Sequence, residues 1–427
     1  MKTDLLHRQE PTAQRAKAAF AQTKWLLFLF QFLAIFLVYL FQIKELSTQS
    51  LLFGGGLLLV SLLSLTILHA VTKGDSYLLL IANMIFSIGI IMIYRLDPGR
   101  GERQLMIYLA SLVAFFVVTF VLRNTPQLWE GHTIFYFVVT LLLFLVTLAF
   151  GVTLGGARNW FSIAGVRVQP SEFAKVPFVL FLASWYKNYE RHEKTFLGRI
   201  SLTVLVYVLL GLFLLQRELG TAAVFFATLL TTQIAFERRR WIPVVNFLLA
   251  LVGLYVAYHL FGHVRVRFAM WWDPWQDFND KGYQIIQALF AVAEGSFFGT
   301  GIGMGHPESI PLGHSDFIYA SVIEEMGSFM GICLILLFVL LLYRGIKIAM
   351  QQERDFYAAA AVAVSAIFAS QAIIMFAGVL KVIPLTGITV PFLTYGGSSL
   401  LSSFLLLAIL QTCSEHMPYK GGLHGTK

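Results

Sequence analysis

Apolar runs of about 18–25 residues recur along the whole chain and are separated by short polar stretches. A run of this length, folded as an α-helix, crosses the roughly 30 Å hydrocarbon core of a bilayer. The segment that holds Glu172 and Lys175 is the least apolar of them. The pattern predicts an all-α polytopic membrane protein with about twelve spanning helices, over residues 25–43, 50–71, 77–94, 103–122, 133–152, 170–186, 199–215, 219–236, 241–261, 317–343, 357–380 and 389–412.

The composition supports this class. Of the 427 residues, 58% are hydrophobic and only 13% are charged, whereas a soluble domain carries roughly 45–50% apolar and about 25% charged residues. Strands of a membrane barrel are about ten residues long and alternate in polarity, which this chain does not show. The two cysteines, Cys333 and Cys413, lie far apart in apolar segments, so they indicate packing and not a disulfide framework or a metal site.

The net charge of +8 does not indicate a nucleic-acid partner, because the basic residues are divided among many short loops. With an even number of spans and a cytoplasmic N-terminus, about nineteen of the 31 Lys and Arg residues fall on the cytoplasmic side. They include the stretches 187–194, 237–240 and 343–347. We therefore predict that both termini are cytoplasmic and that the polar insert 262–316, which follows nine spans, faces outward.

This insert carries the densest group of ionisable residues. The stretch WWDPWQDFNDKGYQ contains Asp273, Asp277 and Asp280 beside interfacial tryptophans, so it is expected to lie along the membrane surface. A partly desolvated carboxylate there suits a general base, while a solvated acidic loop explains the same residues. The following GTGIGMGH (299–306) lacks the Gly-Lys-Ser/Thr of a phosphate loop and predicts a flexible turn or a close approach of the backbone.

Further charges lie at or inside apolar segments. His314 and Asp316 precede a predicted helix, where Asp316 could simply occupy the N-terminus. Glu324 and Glu325 lie further in, and neighbours in a helix point about 100° apart, so both are not expected to face one partner.

The motif QPSEFAK contains Glu172 and Lys175, which are three residues apart and share one helix face. They either form an ion pair that closes a helix end or border a cavity. In such a cavity Lys175, together with Arg158, would accept a phosphate-bearing ligand.

Taken together, these segments resemble the SEDS family (shape, elongation, division and sporulation; RodA, FtsW and SpoVE). The most specific match is PLTGITVPFLTYGGSS at 384–399. The others, in family order, are GARNW followed by QPSEFAK, ELGTA at 218–222, DPWQDFNDKGYQIIQ and HSDFIYASVIEEMG. The chain departs from the family pattern at Asn159, Glu218, Phe278 and Leu312-Gly313, which indicates a divergent member.

The resemblance implies a membrane domain of about ten helices over 77–412. Residues 25–76 would then form two additional N-terminal helices, and 1–24 and 413–427 would be cytoplasmic tails. It also implies a glycosyltransferase of the bacterial cytoplasmic membrane that polymerises lipid II at the outer face. The catalytic Asp of the family lies a few residues before Gly-Tyr-Gln, which corresponds to Asp277.

On this resemblance Asp277 would deprotonate the acceptor hydroxyl, and undecaprenyl diphosphate would leave. The expected substrate-binding residues are Arg158, Glu172, Lys175, Tyr283, Gln284, His314 and Asp316, with Asp273, Glu218, Glu324 and Glu325 as secondary candidates. The departing diphosphate requires Lys or Arg or a divalent cation such as Mg²⁺ or Mn²⁺; the sequence identifies no metal ligands. The family's partner is a class B penicillin-binding protein, a transpeptidase. Two alternatives remain open, a lipid II flippase and a scaffold for that transpeptidase.

Overall fold

The computed structural model describes residues 2–42, 47–154, 157–163 and 166–415. It is predominantly helical, as predicted. The helices in chain order are α1 Lys2–Gln42, α2 Thr48–Val71, α3 Tyr77–Leu96, α4 Pro98–Asn124, α5 Pro126–Trp129, α6 Thr133–Phe150, α7 Pro170–Lys187, α8 Tyr189–Glu193, α9 Phe196–Gln216, α10 Leu219–Phe236, α11 Trp241–Leu260, α12 Gly262–Trp272, α13 Tyr283–Gly295, α14 Ile318–Met350, α15 Asp355–Val379 and α16 Gly397–Glu415. Residues 416–427 of the predicted C-terminal tail lie outside the described part, and most of the predicted N-terminal tail continues α1 as helix.

Eleven of the described helices are long and apolar enough to cross a membrane. The twelfth predicted span, 170–186, is the helix α7. It has a suitable length but carries Glu172, Lys175 and Lys187, and it is largely buried within the protein. Its charges are tolerated because surrounding helices, and not lipid, contact them. The polytopic all-α fold is thus confirmed, with α7 as an internal helix of the bundle.

The centre of the bundle consists of α3, α15 and α16, which are buried around most of their circumference. A helix that is apolar on all sides belongs inside a protein or a membrane. The alanine-rich sequence of α15, with Ala358–Ala361 in its first turns, lets neighbouring backbones approach closely. The remaining long helices surround this centre and expose apolar side chains outward.

The first two helices are joined to the bundle by buried hydrogen bonds. Gln31 of α1 donates to Ser61 of α2 at 3.1 Å and to Ser87 of α3 at 2.7 Å. Asn83 of α3 accepts from Tyr108 of α4 at 2.8 Å. In an apolar surrounding an unpaired amide would be costly, so these bonds fix how the helices pair. The two N-terminal helices are therefore a docked part of the bundle.

Charged contacts define the two ends of the bundle. At one end, here called the basic end, Glu130 pairs with Lys187 at 3.1 Å and Arg354 at 3.0 Å, and Arg344 pairs with Asp75 at 2.8 Å. This end carries the loops 72–76, 125–132, 188–195, 237–240 and 351–354. The opposite end, here called the cavity end, carries the insert 262–316 and the segment 380–396. The loops predicted to share a side therefore lie together.

The structure differs from the sequence predictions in three places. The strands β1 Val152–Leu154, β2 Ala157–Ile163 and β3 Val166–Val168 form an antiparallel three-stranded sheet that was not predicted. The final helix begins at Gly397 and not at 389, because Pro391 and a positive φ of 65° at Phe392 keep the preceding segment irregular. The insert is not one loop, since it contains α12 and α13.

Candidate active site

A polar cavity opens at the cavity end, between the small sheet, the start of α7, the α9–α10 link, α12, α15 and the segment 380–396. Its volume is about 90 Å³. Most of its lining is polar, in a protein that is otherwise apolar. The polar lining includes Asn159, Gln169, Glu172, Lys175, Arg217, Glu218, Arg267, Gln371, Thr386 and Thr389.

Glu172 and Lys175 form a buried ion pair on one wall of the cavity. Proline at the first position of α7 starts the helix, so both residues fall in its first two turns. Nζ of Lys175 lies 2.7 Å from Oε2 of Glu172, the pairing their spacing predicts. Ser402 donates to the same oxygen at 3.0 Å, and Thr389 donates to Oε1 at 3.4 Å. Lys175 is 1% exposed, so its ammonium is available to Glu172 and to a ligand in the cavity, and not to bulk solvent.

Glu218 occupies the link between α9 and α10 and gathers three donors. Its Oε1 accepts from Asn159, from Gln169 at 2.7 Å and from Ser171 at 3.4 Å. Burial raises the pKa of the Glu218 carboxyl, and these hydrogen bonds offset only part of the effect. Its Oε2 and the Oδ1 of Asn159 have no hydrogen-bond partner among the described residues. Both oxygens belong to residues that line the cavity, so donor groups of a ligand are candidate partners for them.

Two arginines complete the cavity. Arg217 ends α9 in a left-handed conformation, with φ 61°, and turns the chain toward the cavity. Arg267 reaches in from α12 and donates to the Thr386 carbonyl at 2.8 Å. Asp316 is not in the lining. Burial raises the pKa of its carboxyl, and a hydrogen bond from Ser315 and the charge of Arg267 partly offset this. The cavity thus holds three cations and two acids, an environment that suits an anionic ligand with hydroxyl groups.

The helix α12 also borders an apolar groove. This groove, of about 610 Å³, lies between α11 and α12 and ends at Gln276, the residue before Asp277. The wall from α11 includes Leu254 and Tyr258, and the wall from α12 includes Phe268 and Trp271. The helix α12 therefore contributes side chains to both a charged cavity and an apolar groove.

Asp277 ends a 3₁₀ turn, Pro274–Asp277, directly after α12. Asp273 caps this turn by accepting from the Trp275 amide at 3.1 Å, and the Asp277 carbonyl accepts from the Gly282 amide at 2.9 Å. A Cβ on Gly282 would lie 2.0 Å from the Pro274 carbonyl oxygen, so the loop closes only with glycine there. Asp277 is half-buried, and within the described residues its carboxylate accepts no hydrogen bond. It is held in place by its backbone and its side chain is free to act.

The remaining predicted residues are not in the lining of the cavity. Tyr283 and Gln284 begin α13 and are half-buried. Nη1 of Arg100 lies 2.8 Å from Nδ1 and 2.7 Å from Nε2 of His314. Burial, and then Arg100, lowers the pKa of His314 to about 4, so this imidazole is neutral at neutral pH. The backbone of Arg158 lies in β2, but its side chain is outside the described part of the structure.

Glu324 and Glu325 form a second buried cluster, away from the cavity. Glu325 accepts from Nε of Arg95 at 2.8 Å, and Glu324 accepts from the His306 amide at 2.6 Å. As predicted, the two acids have different partners. Their role here is to hold the glycine-rich segment 299–306, whose glycines 299, 301 and 303 all have positive φ. This confirms a close backbone approach at that segment.

Within the described residues, no three His, Cys, Asp or Glu side chains converge as a metal site requires. The sequence analysis missed Arg217 and Arg267 as cavity residues. Arg267 could have been suspected, because an arginine between apolar residues in VRVRFAMWW needs a buried partner.

The chain belongs to the FtsW/RodA/SpoVE family of cell cycle proteins, whose defining pattern matches residues 75–419. It is 32% identical over 388 residues to the peptidoglycan glycosyltransferase RodA of Mycobacterium leprae, which covers 82% of this chain and 80% of the relative. It is 30% identical over 368 residues to stage V sporulation protein E of Bacillus subtilis, with 82% of this chain and 99% of the relative covered. The helices α1 and α2 precede the matched region.

The fold also has solved counterparts. A chain from a study of polymerization and crosslinking by a peptidoglycan synthase complex superposes with a TM-score of 0.67 and 25% identity, covering 80% of this chain and 97% of that one. The Rod shape determining protein RodA of Thermus thermophilus superposes with a TM-score of 0.58 at 23% identity over the same shares, which shows the same fold.

Proposed function

We propose that this protein is a peptidoglycan glycosyltransferase that polymerises lipid II into glycan strands. The family membership and the names of the relatives support the activity. The observation that carries the proposal is the position of α12, which contributes residues to both a cationic cavity and an apolar groove and ends shortly before Asp277. A substrate with a polyprenyl tail, a diphosphate and a sugar has this same division of chemistry.

The groove between α11 and α12 suits the polyprenyl tail. Its volume of about 610 Å³ is in the range of sites that bury small ligands, roughly 300–1,000 Å³. Aromatic and leucine side chains line it, and Gln276 lies at its end next to Asp277. A tail in this groove would bring the head of the lipid to the level of Asp277. Burial of the tail would supply binding energy that the reacting groups do not have to provide.

The cations of the cavity suit the diphosphate. Lys175, Arg217 and Arg267 border it, and Lys175 is paired with Glu172 at 2.7 Å. Charge that develops on a departing diphosphate is stabilised best by cations already in place and shielded from water. The unpartnered oxygens of Glu218 and Asn159 would accept hydrogen bonds from sugar hydroxyl or amide groups.

In the proposed reaction the Asp277 carboxylate takes the proton of the acceptor sugar hydroxyl. The hydroxyl oxygen then bonds to the anomeric carbon of the donor. The bond from that carbon to the phosphate oxygen breaks, and its electron pair leaves with undecaprenyl diphosphate. The half-buried Asp277 carboxylate accepts no hydrogen bond within the described residues, which supports this role, because a general base must be free to meet the substrate.

The test is Asp277→Asn in purified protein with labelled lipid II. The amide cannot accept the proton, so polymer formation should fall by roughly 10²–10⁴-fold. The matched control is Asp280→Asn, an exposed acid of the same segment, which should retain polymerisation. Full activity of Asp277→Asn would contradict the proposal, and equal loss in both variants would indicate a general effect of loop charge.

Orientation and partner belong to the same proposal. Lys187, Arg191, Arg238 and Arg354 lie at or near helix ends of the basic end, so the positive-inside rule favours a cytoplasmic basic end and an extracellular cavity end. The likeness to a chain of a peptidoglycan synthase complex supports a transpeptidase partner, a class B penicillin-binding protein. Membrane-impermeant labelling of Asp280→Cys in intact cells would test the orientation.

The buried charges favour a polymerase over a lipid II flippase. Glu172 and Lys175 lie in the first two turns of α7, and Glu324 and Glu325 in the first turns of α14. All four lie toward the cavity end, and each acid is hydrogen-bonded to a neighbour. A flippase would require polar groups along a path through the bundle. Lipid scrambling that survives Asp277→Asn, with no polymer made by the wild type, would favour transport.

A further inference from the structure

The long helix α14 is broken at Gly327, where φ is 81° and ψ is 164°. A break in a helix leaves backbone groups without their usual partners. Here the segment 296–301, which follows α13, supplies them. The amides of Ser328 and Phe329 donate to the carbonyls of residues 296 and 297 at 3.0 and 3.1 Å, and the carbonyls of Glu324 and Glu325 accept from the amides of residues 300 and 301 at 2.8 and 3.0 Å. Four hydrogen bonds thus join the segment to the break.

Glycines make this close pairing sterically feasible. A Cβ on Gly295 would lie 2.1 Å from the Ile323 carbonyl oxygen, and one on Gly299 would lie 2.3 Å from that of Glu325. A Cβ on Gly327 would lie 2.2 Å from the Phe297 carbonyl oxygen. Glycine is therefore needed on both sides of the pairing, and the segment 296–301 lies directly against the backbone of α14.

The segment also extends an exposed apolar stripe. Exposed side chains descend α14 at helical spacing, at Phe329, Ile332, Leu336, Val339 and Tyr343. This is the face that a spanning helix turns to lipid. At the end of the stripe nearest the cavity end, the ring centroid of Phe297 lies 5.9 Å from that of Phe329, and the adjacent Phe298 is 82% exposed. The two phenylalanines continue the stripe onto the insert.

The length of α14 gives the depth of this contact. Arg344 pairs with Asp75 at the basic end and so marks the boundary there. At about 1.5 Å per residue, Phe329 lies roughly 22 Å along the helix from Arg344. The hydrocarbon core is about 30 Å thick, so Phe329 lies roughly 8 Å inside its far boundary. Tilt of the helix places it deeper.

We propose that the segment 296–301 is re-entrant and that Phe297 and Phe298 insert among the acyl chains of the bilayer. Non-helical backbone at that depth is tolerated only where its polar groups are paired within the protein, and the four bonds to α14 meet this condition. The insert that carries Asp277 would then be fixed in height by lipid as well as by α12. This inference concerns membrane contact and does not depend on the proposed activity.

Site-directed spin labelling tests the insertion. The full chain with Cys333→Ala and Cys413→Ala would receive a nitroxide at Phe298→Cys and be reconstituted in phosphatidylethanolamine–phosphatidylglycerol vesicles. Controls are Leu336→Cys, on the lipid face of α14, and Asp280→Cys, on the exposed acidic segment. Collision rates with oxygen, which partitions into hydrocarbon, and with a water-soluble nickel chelate report the surroundings of each label.

The expected result is an oxygen-to-nickel accessibility ratio at 298 that matches 336 and clearly exceeds 280. A ratio like that at 280 would overturn the proposal, because the segment would lie in water. Low collision with both reagents would also overturn it, because protein, such as a second copy of the chain, would then cover the site. Should Phe298→Cys fail to accumulate, Phe297→Cys gives the same test from the adjacent residue.

Discussion

Loss of the Lys175 charge should destabilise the protein strongly. Nζ of Lys175 lies 2.7 Å from Oε2 of Glu172, and the two side chains are 2% and 5% exposed. At that separation and an effective dielectric constant of about 20, their attraction is about 6 kcal/mol. Much of it offsets the desolvation of both ions. Lys175→Met removes the attraction and leaves the carboxylate buried, and cutting a buried pair in this way costs about 3–5 kcal/mol.

The double variant separates stability from function. Glu172→Gln with Lys175→Met leaves no buried charge, so most of the lost free energy of unfolding should return. Polymerisation should remain low in both variants, because Lys175 is proposed to contact the diphosphate. The matched control is Lys187→Met on the same helix, which breaks a partly exposed pair with Glu130 and should cost about 1 kcal/mol or less.

The assays are denaturation by sodium dodecyl sulfate in mixed micelles and polymerisation of labelled lipid II. A Lys175→Met variant as stable as the Lys187→Met control would refute the argument that an uncompensated buried carboxylate remains. Recovery of polymerisation in the double variant would refute contact between Lys175 and the diphosphate, and the pair would then be structural only.

Two more predictions follow from the same site. Gly282→Ala should lower polymerisation by on the order of 10²-fold. The added Cβ would lie 2.0 Å from the Pro274 carbonyl oxygen, so the two must move apart by about 1 Å. The control is Gly262→Ala, whose added Cβ would meet no atom closer than 4.0 Å. The pKa of His314 is lowered from 6.5 to about 4, so its contribution to stability is complete above about pH 6.5 and is lost as the pH falls toward 4. His314→Gln should flatten that part of the pH–stability curve, and identical slopes in both proteins would contradict the assignment.

Much of the bundle could be predicted because long apolar runs have few alternatives in a bilayer. The pair of Glu172 and Lys175 could be predicted for a similar reason, since spacing of three along a helix places both on one face. These inferences depend only on neighbours in sequence. The break of α14 at Gly327 could not be foreseen in this way, because only its pairing with residues 296–301 makes it stable.

The cavity shows the same limit. Arg267 donates to the carbonyl of Thr386, which is more than a hundred residues away, and Glu218 accepts from Asn159 and Gln169 across the small sheet. Periodicity carries no information about such contacts. The motif resemblance marked Glu218 and Asn159 as departures from the family pattern, and the structure makes them hydrogen-bonding partners. The effects of two substitutions in contact can compensate each other, and this coupling is not visible from either position in the sequence alone.

The segment 380–396 supports the site through its backbone. Because Pro391 and Gly387 keep it from forming a helix, its carbonyls are not used by helical hydrogen bonds. They instead accept from α12 at two points, from Arg267 at Thr386 and from the Trp271 indole at Lys381. A helix over the same residues would have used these carbonyls itself and left α12 without anchors. The Pro and Gly residues of PLTGITVPFLTYGGSS therefore act on the candidate site by providing acceptors that hold the helix leading to Asp277.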